Sequence, residues 1–205
     1  MVTEKLHQLQ NSFFEMYPDG FAGPEFKDLG KKHKLTEMRD QVRELFDSDR
    51  YNNTNEFCAE IAKLYSKSSM VSVFEKVKFR DFMKALTPTD QTELVDALRK
   101  LIKGNQEEGF NSFKEILERE KLAKWPLLTI LPLYYEPEKE VFIKPTTVKK
   151  VIAYFEIPDL KYSPKPTYDF YRRYRDFITE LKSRAEPSIA RNNAEFSGFL
   201  MISIG

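Results

Sequence analysis

The stretch that decides the fold is Trp125–Pro145, WPLLTILPLYYEPEKEVFIKP. It holds the only tryptophan, four of the eleven prolines and the longest apolar run of the chain. An apolar run bounded by turn residues is typical of a segment buried on every side. Two conformations stay open for Trp125–Tyr135, a short buried helix kinked at Pro132 or an extended core segment. Pro145 disfavours helix at the residue before it, so we expect a short extended segment near residues 140–144.

Apolar residues elsewhere in the chain recur at helical spacing, without a convincing alternating strand. Ser72 and Glu75 have the spacing of a capping box, and Gly104 is typical of a helix C-cap. The pattern predicts an all-α fold with seven or eight helices. They are expected to begin near residues 3, 24, 54, 73, 89, 106, 145 and 167, and the helix from Pro24 is expected to run to about Asp47.

Composition favours one compact domain spanning residues 1–205. The 41% apolar and 14% aromatic content excludes a disordered chain, and the net charge of +1 predicts neither nucleic-acid nor membrane partners. Residues 157–166, with three prolines, are the one weak internal boundary. No window approaches the roughly 20 apolar residues of a membrane-spanning helix.

Cys58 is the only cysteine, and its place beside an apolar stripe predicts a small buried thiol. A chain that cannot form an internal disulfide suits a reducing compartment, and the N-terminus lacks the apolar core of a signal peptide. We therefore expect a soluble, cytoplasmic protein.

The predicted helix at residues 73–86, VFEKVKFRDFMKAL, combines apolar and charged residues. Its buried face is expected to consist of Phe74, Val77, Phe82 and Leu86.

Four charged residues interrupt this helix: Glu75, Lys76, Arg80 and Asp81. Lys76 and Arg80 are four residues apart and share a face, so they need an anion or a carboxylate nearby. The favoured interpretation is a structural ion-pair network. The alternative is an anion or phosphate site in which Arg80 supplies a planar fork and Lys144 takes part.

Residues 144–184 contain ten lysines and arginines against five acidic residues. Tyrosines interleave with the basic groups, and such a pattern suits phosphate neutralisation and base stacking. The candidates for binding nucleic acid are Lys149, Lys150, Arg172, Arg173 and Arg175. A solvated amphipathic helix is favoured, because Asp169 can pair with Arg173, and Arg172 with Asp176.

Signatures of common enzyme classes are missing from the chain. There is no Walker A sequence, no Gly-x-Gly-x-x-Gly and no Gly-x-Ser-x-Gly. His7 and His33 are the only histidines, and their spacing does not suit a zinc site. We therefore predict no catalytic residue, no metal and no cofactor, and lean towards a protein that is not an enzyme.

Several landmarks resemble a group of bacterial proteins of similar length that has no established activity. Trp125-Pro126, Pro137, Phe142 and Lys144-Pro145 follow its order W-P…P-x-x-x-x-F-x-K-P. Further matches are Gly20-Phe21 with Pro24, Phe74-Glu75-Lys76 with Arg80-Asp81, Pro166-Thr167-Tyr168, and the apolar tail Phe196–Ile204. The resemblance implies a single domain and directs attention to Glu75, Lys76, Arg80, Asp81 and Lys144. The chain departs from the pattern at Gly23, where an Asp is usual, and at Asn192-Asn193-Ala194.

The tail FSGFLMISIG, residues 196–205, is apolar almost throughout, so we expect it to dock into the core or to pair with another chain. The leading hypothesis is a non-enzymatic helical interaction or scaffold protein with an unknown protein partner, or one that self-associates through this tail. The alternatives are a nucleic-acid-associated protein using residues 144–184, and an enzyme or small-anion binder using Glu75, Lys76, Arg80 and Lys144.

Overall fold

Ten α-helices make up most of the computed structural model, which describes residues 2–26 and 33–205. Within these residues there is no β-strand, so the all-α class is confirmed, but the predicted number of seven or eight helices is too low. The helices are α1 Val2–Met16, α2 Leu35–Asp47, α3 Thr54–Lys67, α4 Val73–Ala85, α5 Pro88–Lys103, α6 Gln106–Glu118, α7 Trp125–Tyr135, α8 Pro145–Phe155, α9 Tyr168–Ser183 and α10 Asn193–Ile204. Short 3-10 helices lie at Gly20–Ala22, Pro24–Phe26, Asp49–Asn52 and Pro187–Ile189.

The helix predicted from Pro24 to Asp47 differs from the structure. Pro24–Phe26 is a 3-10 helix, α2 begins at Leu35, and part of the predicted helix falls outside the described residues. Lys34, directly before α2, has a left-handed backbone with φ 45°. A left-handed residue cannot continue a right-handed helix, so α2 starts afresh after it.

Two helices lack a clear signal in the sequence because apolar residues occupy every side of them: α7 is one of the two conformations left open for Trp125–Tyr135, and α10 is not among the predicted helices. Helix α7 forms despite Pro132, and nine of its eleven residues are buried. Helix α10 begins where the Asn192 side chain accepts the backbone N–H of Glu195. Neither helix has a polar face, so neither shows the periodicity by which amphipathic helices are recognised.

Helix α7 is surrounded by groups that satisfy its polar atoms. The Trp125 indole N–H donates to the Ser163 carbonyl oxygen at 2.7 Å. The Tyr65 hydroxyl donates to the Leu127 carbonyl oxygen at 2.5 Å, and the Tyr134 and Ser68 hydroxyls lie 2.8 Å apart. Buried polar atoms need such partners, so these bonds fix the neighbours of α7.

The segment after α7 contains neither helix nor strand between Glu140 and Lys144. Val141, Phe142 and Ile143 are buried, and Lys144 has extended backbone angles. The Ile143 backbone N–H donates to the Thr129 hydroxyl oxygen at 3.1 Å, and Thr129 itself donates to the Trp125 carbonyl oxygen. The Thr129 hydroxyl of α7 therefore accepts the hydrogen bond that a neighbouring β-strand would otherwise accept from Ile143.

The tail docks into the core, one of the two outcomes expected from its composition. Phe196, Phe199 and Leu200 of α10 are buried, and α10 packs against α1 and α8. The buried apolar residues form one cluster to which all ten helices contribute. A single domain over 1–205, with a weak boundary at 157–166, remains a prediction. None of the described helices is long and apolar enough to cross a membrane.

Replacing Thr129 by Val tests the bond between α7 and the following segment. The valine keeps the shape of the side chain but leaves the buried Ile143 N–H without an acceptor. We expect Thr129→Val to lower the free energy of unfolding by about 1–3 kcal/mol in urea denaturation. The control is Thr89→Val, because Thr89 is exposed, and its effect should stay within about 0.5 kcal/mol. Equal effects of the two changes would contradict this role of Thr129.

Candidate functional site

Helix α4 buries a different face from the one predicted. Its buried residues are Phe79, Phe82 and Met83, whereas 84% of Phe74 and 42% of Val77 are exposed. The Phe79 ring lies 3.9 Å, centroid to centroid, from the Tyr65 ring. Phe82 therefore belongs to the core as predicted, while placing Phe74 and Val77 there was wrong. Leu86 is half-buried just beyond the helix.

The physical reason is that α4 carries two apolar sets. Val73, Phe74 and Val77 lie in its first two turns on one side, and the buried set lies on the other. Helical spacing cannot say which set faces the core, because both sets satisfy it. Phe79 contacts Tyr65, which also forms a hydrogen bond to α7. This contact decides which side of α4 faces the core.

The exposed apolar residues of α4 form a patch at its N-terminal end. Val73 and Val77 are four residues apart and stand one above the other, with Phe74 beside them. Val73 is 71% exposed. We call Val73, Phe74 and Val77 the outer patch.

The predicted polar set on α4 is largely used within the helix. Arg80 donates from its Nε and Nη2 to one carboxylate oxygen of Asp81, at 3.1 and 3.0 Å, and both side chains are exposed. Glu75 completes the capping box with Ser72, as predicted from the sequence. The Arg80 fork thus already binds a carboxylate. An anion-binding role for these residues remains a prediction.

Three lysines of α4 are not paired. The side chains of Lys76, Lys78 and Lys84 make no hydrogen bond or ion pair with any residue in the described part of the chain. Lys78 and Lys84 are exposed, as is the outer patch. The outward side of α4 therefore combines apolar groups with free positive charge.

Lys144 lies elsewhere and does not converge with the α4 set. It is exposed at the N-cap of α8, and its Nζ is 3.6 Å from the Met201 sulfur. The cavity that it lines is formed by residues of α8 and α10 and contains none of α4. Because Lys144 is exposed, its charge needs no buried counterion.

The nucleic-acid candidates on α9 are engaged with acidic residues. Arg172 pairs with Asp169 and Asp176, at 3.2 and 3.4 Å, and Arg173 lies 3.9 Å from Asp169. These are the pairs expected of a solvated amphipathic helix, although weak surface pairs of this kind are easily exchanged for other anions. Arg175 faces inward.

The two lysine candidates on α8 also have partners. The Lys149 ammonium lies 5.0 Å from the centre of the Tyr162 ring, and the Lys150 ammonium donates to the Gly205 carbonyl oxygen. Binding of nucleic acid by residues 144–184 remains a prediction.

Sequence reasoning missed a buried polar cluster around Glu140. The Glu140 side chain is only 4% exposed and accepts from Arg175 Nη1 at 3.0 Å. Its Oε2 accepts from the Tyr171 hydroxyl at 2.5 Å, and the Gln106 side-chain amide donates to Oε1, the oxygen that also accepts from Arg175. Burial, followed by the charge of Glu140, holds the pKa of Tyr171 well above its usual range. The cluster connects α6, α9 and the segment after α7.

Cys58 is a buried thiol, as predicted. Burial raises its pKa to about 11, so it is not a reactive thiolate. Across residues 2–26 and 33–205, no group of three or more histidine, cysteine or acidic side chains is arranged to hold a metal ion.

Comparison of the chain with protein-family models, curated proteins and solved structures gave no match. The resemblance drawn from short landmarks in the sequence therefore remains a prediction. The site has to be interpreted from its own geometry.

Two phenylalanines of α4 provide a direct test of its orientation. We expect Phe79→Ala to lower the free energy of unfolding by about 3–5 kcal/mol, because it empties a buried site. We expect Phe74→Ala to change it by less than about 0.5 kcal/mol, because the ring is exposed. Urea denaturation of both variants measures the difference. If Phe74→Ala lowers the free energy of unfolding by more than about 0.5 kcal/mol, other residues must cover the outer patch.

Proposed function

We propose that this protein is a protein-interaction module whose outward side of α4 binds an acidic, amphipathic helix of a partner protein. The observation that carries the proposal is the exposure of Phe74 beside Val73 and Val77. All 17 phenylalanines lie in the described ranges, and Phe74 is the only one that is mostly exposed.

Because the Phe74 ring is exposed, its burial does not contribute to the stability of the folded protein. Burial of a phenylalanine side chain is worth about 1.5–3 kcal/mol, and α4 already buries Phe79 and Phe82. Aromatic side chains are enriched at the centres of protein interfaces, where they contribute a disproportionate share of affinity. An apolar patch of three residues on one helix face suits the grooves and ridges of a partner helix.

The charges on α4 determine the chemistry of the partner. Lys78 follows Phe74 by four residues, and Lys84 follows Val77 by seven, so both lie along the same side of the helix as the outer patch. Neither lysine has an acidic partner in the described chain. Aspartate or glutamate flanking the apolar stripe of a partner helix would supply the missing charges.

The length of α4 suits a partner helix of similar size. Its 13 residues span about 20 Å, or between three and four helical turns. A helix-on-helix contact of this length presents apolar residues at i, i+3, i+4 and i+7. We also propose that the protein acts in the cytoplasm, which suits its unpaired buried thiol.

Selection from a random peptide library displayed against the full chain tests the proposal. We expect the enriched peptides to be acidic, with apolar residues at helical spacing. We expect Phe74→Ser to weaken their binding by about 30-fold, the effect of losing an interface hot spot. Lys78→Glu should weaken it severalfold by placing like charges together.

Matched changes elsewhere serve as controls. Met16→Ser alters another exposed apolar residue, and Lys161→Glu reverses another exposed lysine. Both should leave binding unchanged. Peptides that are basic, or whose binding ignores Phe74, would contradict the proposal. Phe74-dependent binding to vesicles of anionic lipid, without binding to acidic peptides, would assign the face to a membrane surface instead.

A further inference from the structure

A groove with a volume of about 540 Å³ lies between α1 and the 3-10 helix at Pro187–Ile189. This volume is within the roughly 300–1,000 Å³ of sites for small molecules. Four residues of α1 line the groove at positions i, i+3, i+4 and i+7, so they share one side of the helix. They are His7, Gln10, Asn11 and Phe14, and the opposite wall is formed by Glu186 and Ser188. The groove is therefore polar on both walls and contains one aromatic ring.

Gln10 is held in a fixed position at the side of this groove. Only 7% of the residue is exposed, and its side-chain carbonyl oxygen accepts the Glu186 backbone N–H at 2.9 Å. Its amide nitrogen makes no hydrogen bond with any residue in the described part of the chain, and the protein does not enclose it. Because Gln10 lines the groove, its amide N–H groups are available to a bound molecule. Donors that are already held in place lose little freedom on binding.

The other polar side chains of the groove offer both donors and acceptors. His7, Asn11, Glu186 and Ser188 make no side-chain hydrogen bond or ion pair with the residues that the structure describes. Neither lysine nor arginine is among the six lining residues, and Glu186 is acidic. Such a set does not favour a phosphate or a carboxylate group. It suits hydroxyl groups, because each hydroxyl both donates and accepts.

The Phe14 ring supplies an apolar surface with a fixed orientation. It is half-buried and meets the Phe13 ring nearly at right angles, with 5.6 Å between the ring centroids. The turn at Gly20 packs against it as well, since a Cβ atom on Gly20 would lie 3.4 Å from the Phe14 ring. One six-membered aromatic ring matches the size of the C–H face of one sugar ring.

We propose that this groove binds a neutral monosaccharide unit. The C–H face of the sugar lies on Phe14, and its hydroxyl groups donate to Glu186 and accept from the amide group of Gln10. Asn11 contacts a further hydroxyl group. The site shares no residue with the outer patch, so it is independent of the proposed binding of a partner helix. A nucleobase also stacks on aromatic rings, and adenosine is therefore the comparison ligand.

Titrations followed through the side-chain amide NMR signals of Gln10 and Asn11 test this site. The probes are D-glucose, D-galactose and D-mannose. Cyclohexanol has a ring with a single hydroxyl, and the phosphorylated hexoses add negative charge. We expect saturable shifts with at least one hexose, weaker binding of its phosphate and no saturation with cyclohexanol. Glu186→Gln should weaken hexose binding by about tenfold, the value of a hydrogen bond to a charged group, and Asn11→Ala should weaken it severalfold.

Glu15→Gln and Gln8→Ala are the matched controls, because both residues are exposed on α1 but do not line the groove. They should leave hexose binding unchanged, and the backbone amide spectra of all variants report whether they are folded. The absence of saturable shifts with all three hexoses overturns the proposal, as does hexose binding that Glu186→Gln leaves unchanged. Adenosine binding that is tighter than that of every hexose would assign the groove to a nucleobase and overturn the proposed class of ligand.

Discussion

The structure depends on the burial of one helix on all sides. Helix α7 has no polar face, so every polar atom it carries must find a partner within the protein. Tyr65 from α3, Ser163 from the loop before α9 and the chain after α7 itself supply these partners. An unsatisfied buried donor or acceptor costs about 1–3 kcal/mol, so the positions of α3 and of the segment after α7 are strongly constrained.

The remaining features follow from that constraint. Tyr65 also contacts Phe79, so the position of α3 decides which side of α4 faces inward. Val73, Phe74 and Val77 then face outward although they are apolar. The segment after α7 carries Glu140 into the interior, where Arg175 of α9 neutralises it. Arg175 therefore pairs with Glu140 inside the protein and does not face solvent.

Local sequence chemistry predicted much of the fold. The Ser72–Glu75 capping box, the buried Cys58 thiol and the all-α class are all present. Prediction failed where the outcome depends on distant residues. Glu140 and Arg175 are 35 positions apart, and no local pattern marks them as partners. Similarly, α4 has two apolar sets, and only the contact with Tyr65 selects between them. The outer patch could therefore not be found from the sequence, although the charges of Glu75, Lys76, Arg80 and Asp81 drew attention to the right helix.

Amide hydrogen exchange of α7 tests most directly whether this helix organises the fold. We expect the amides of residues 127–131 to exchange only through global unfolding, with the free energy measured by denaturation. The exposed start of α4 should exchange through local opening at lower free energy. Exchange of residues 127–131 by local opening, at a free energy below that of global unfolding, would contradict the central place of α7.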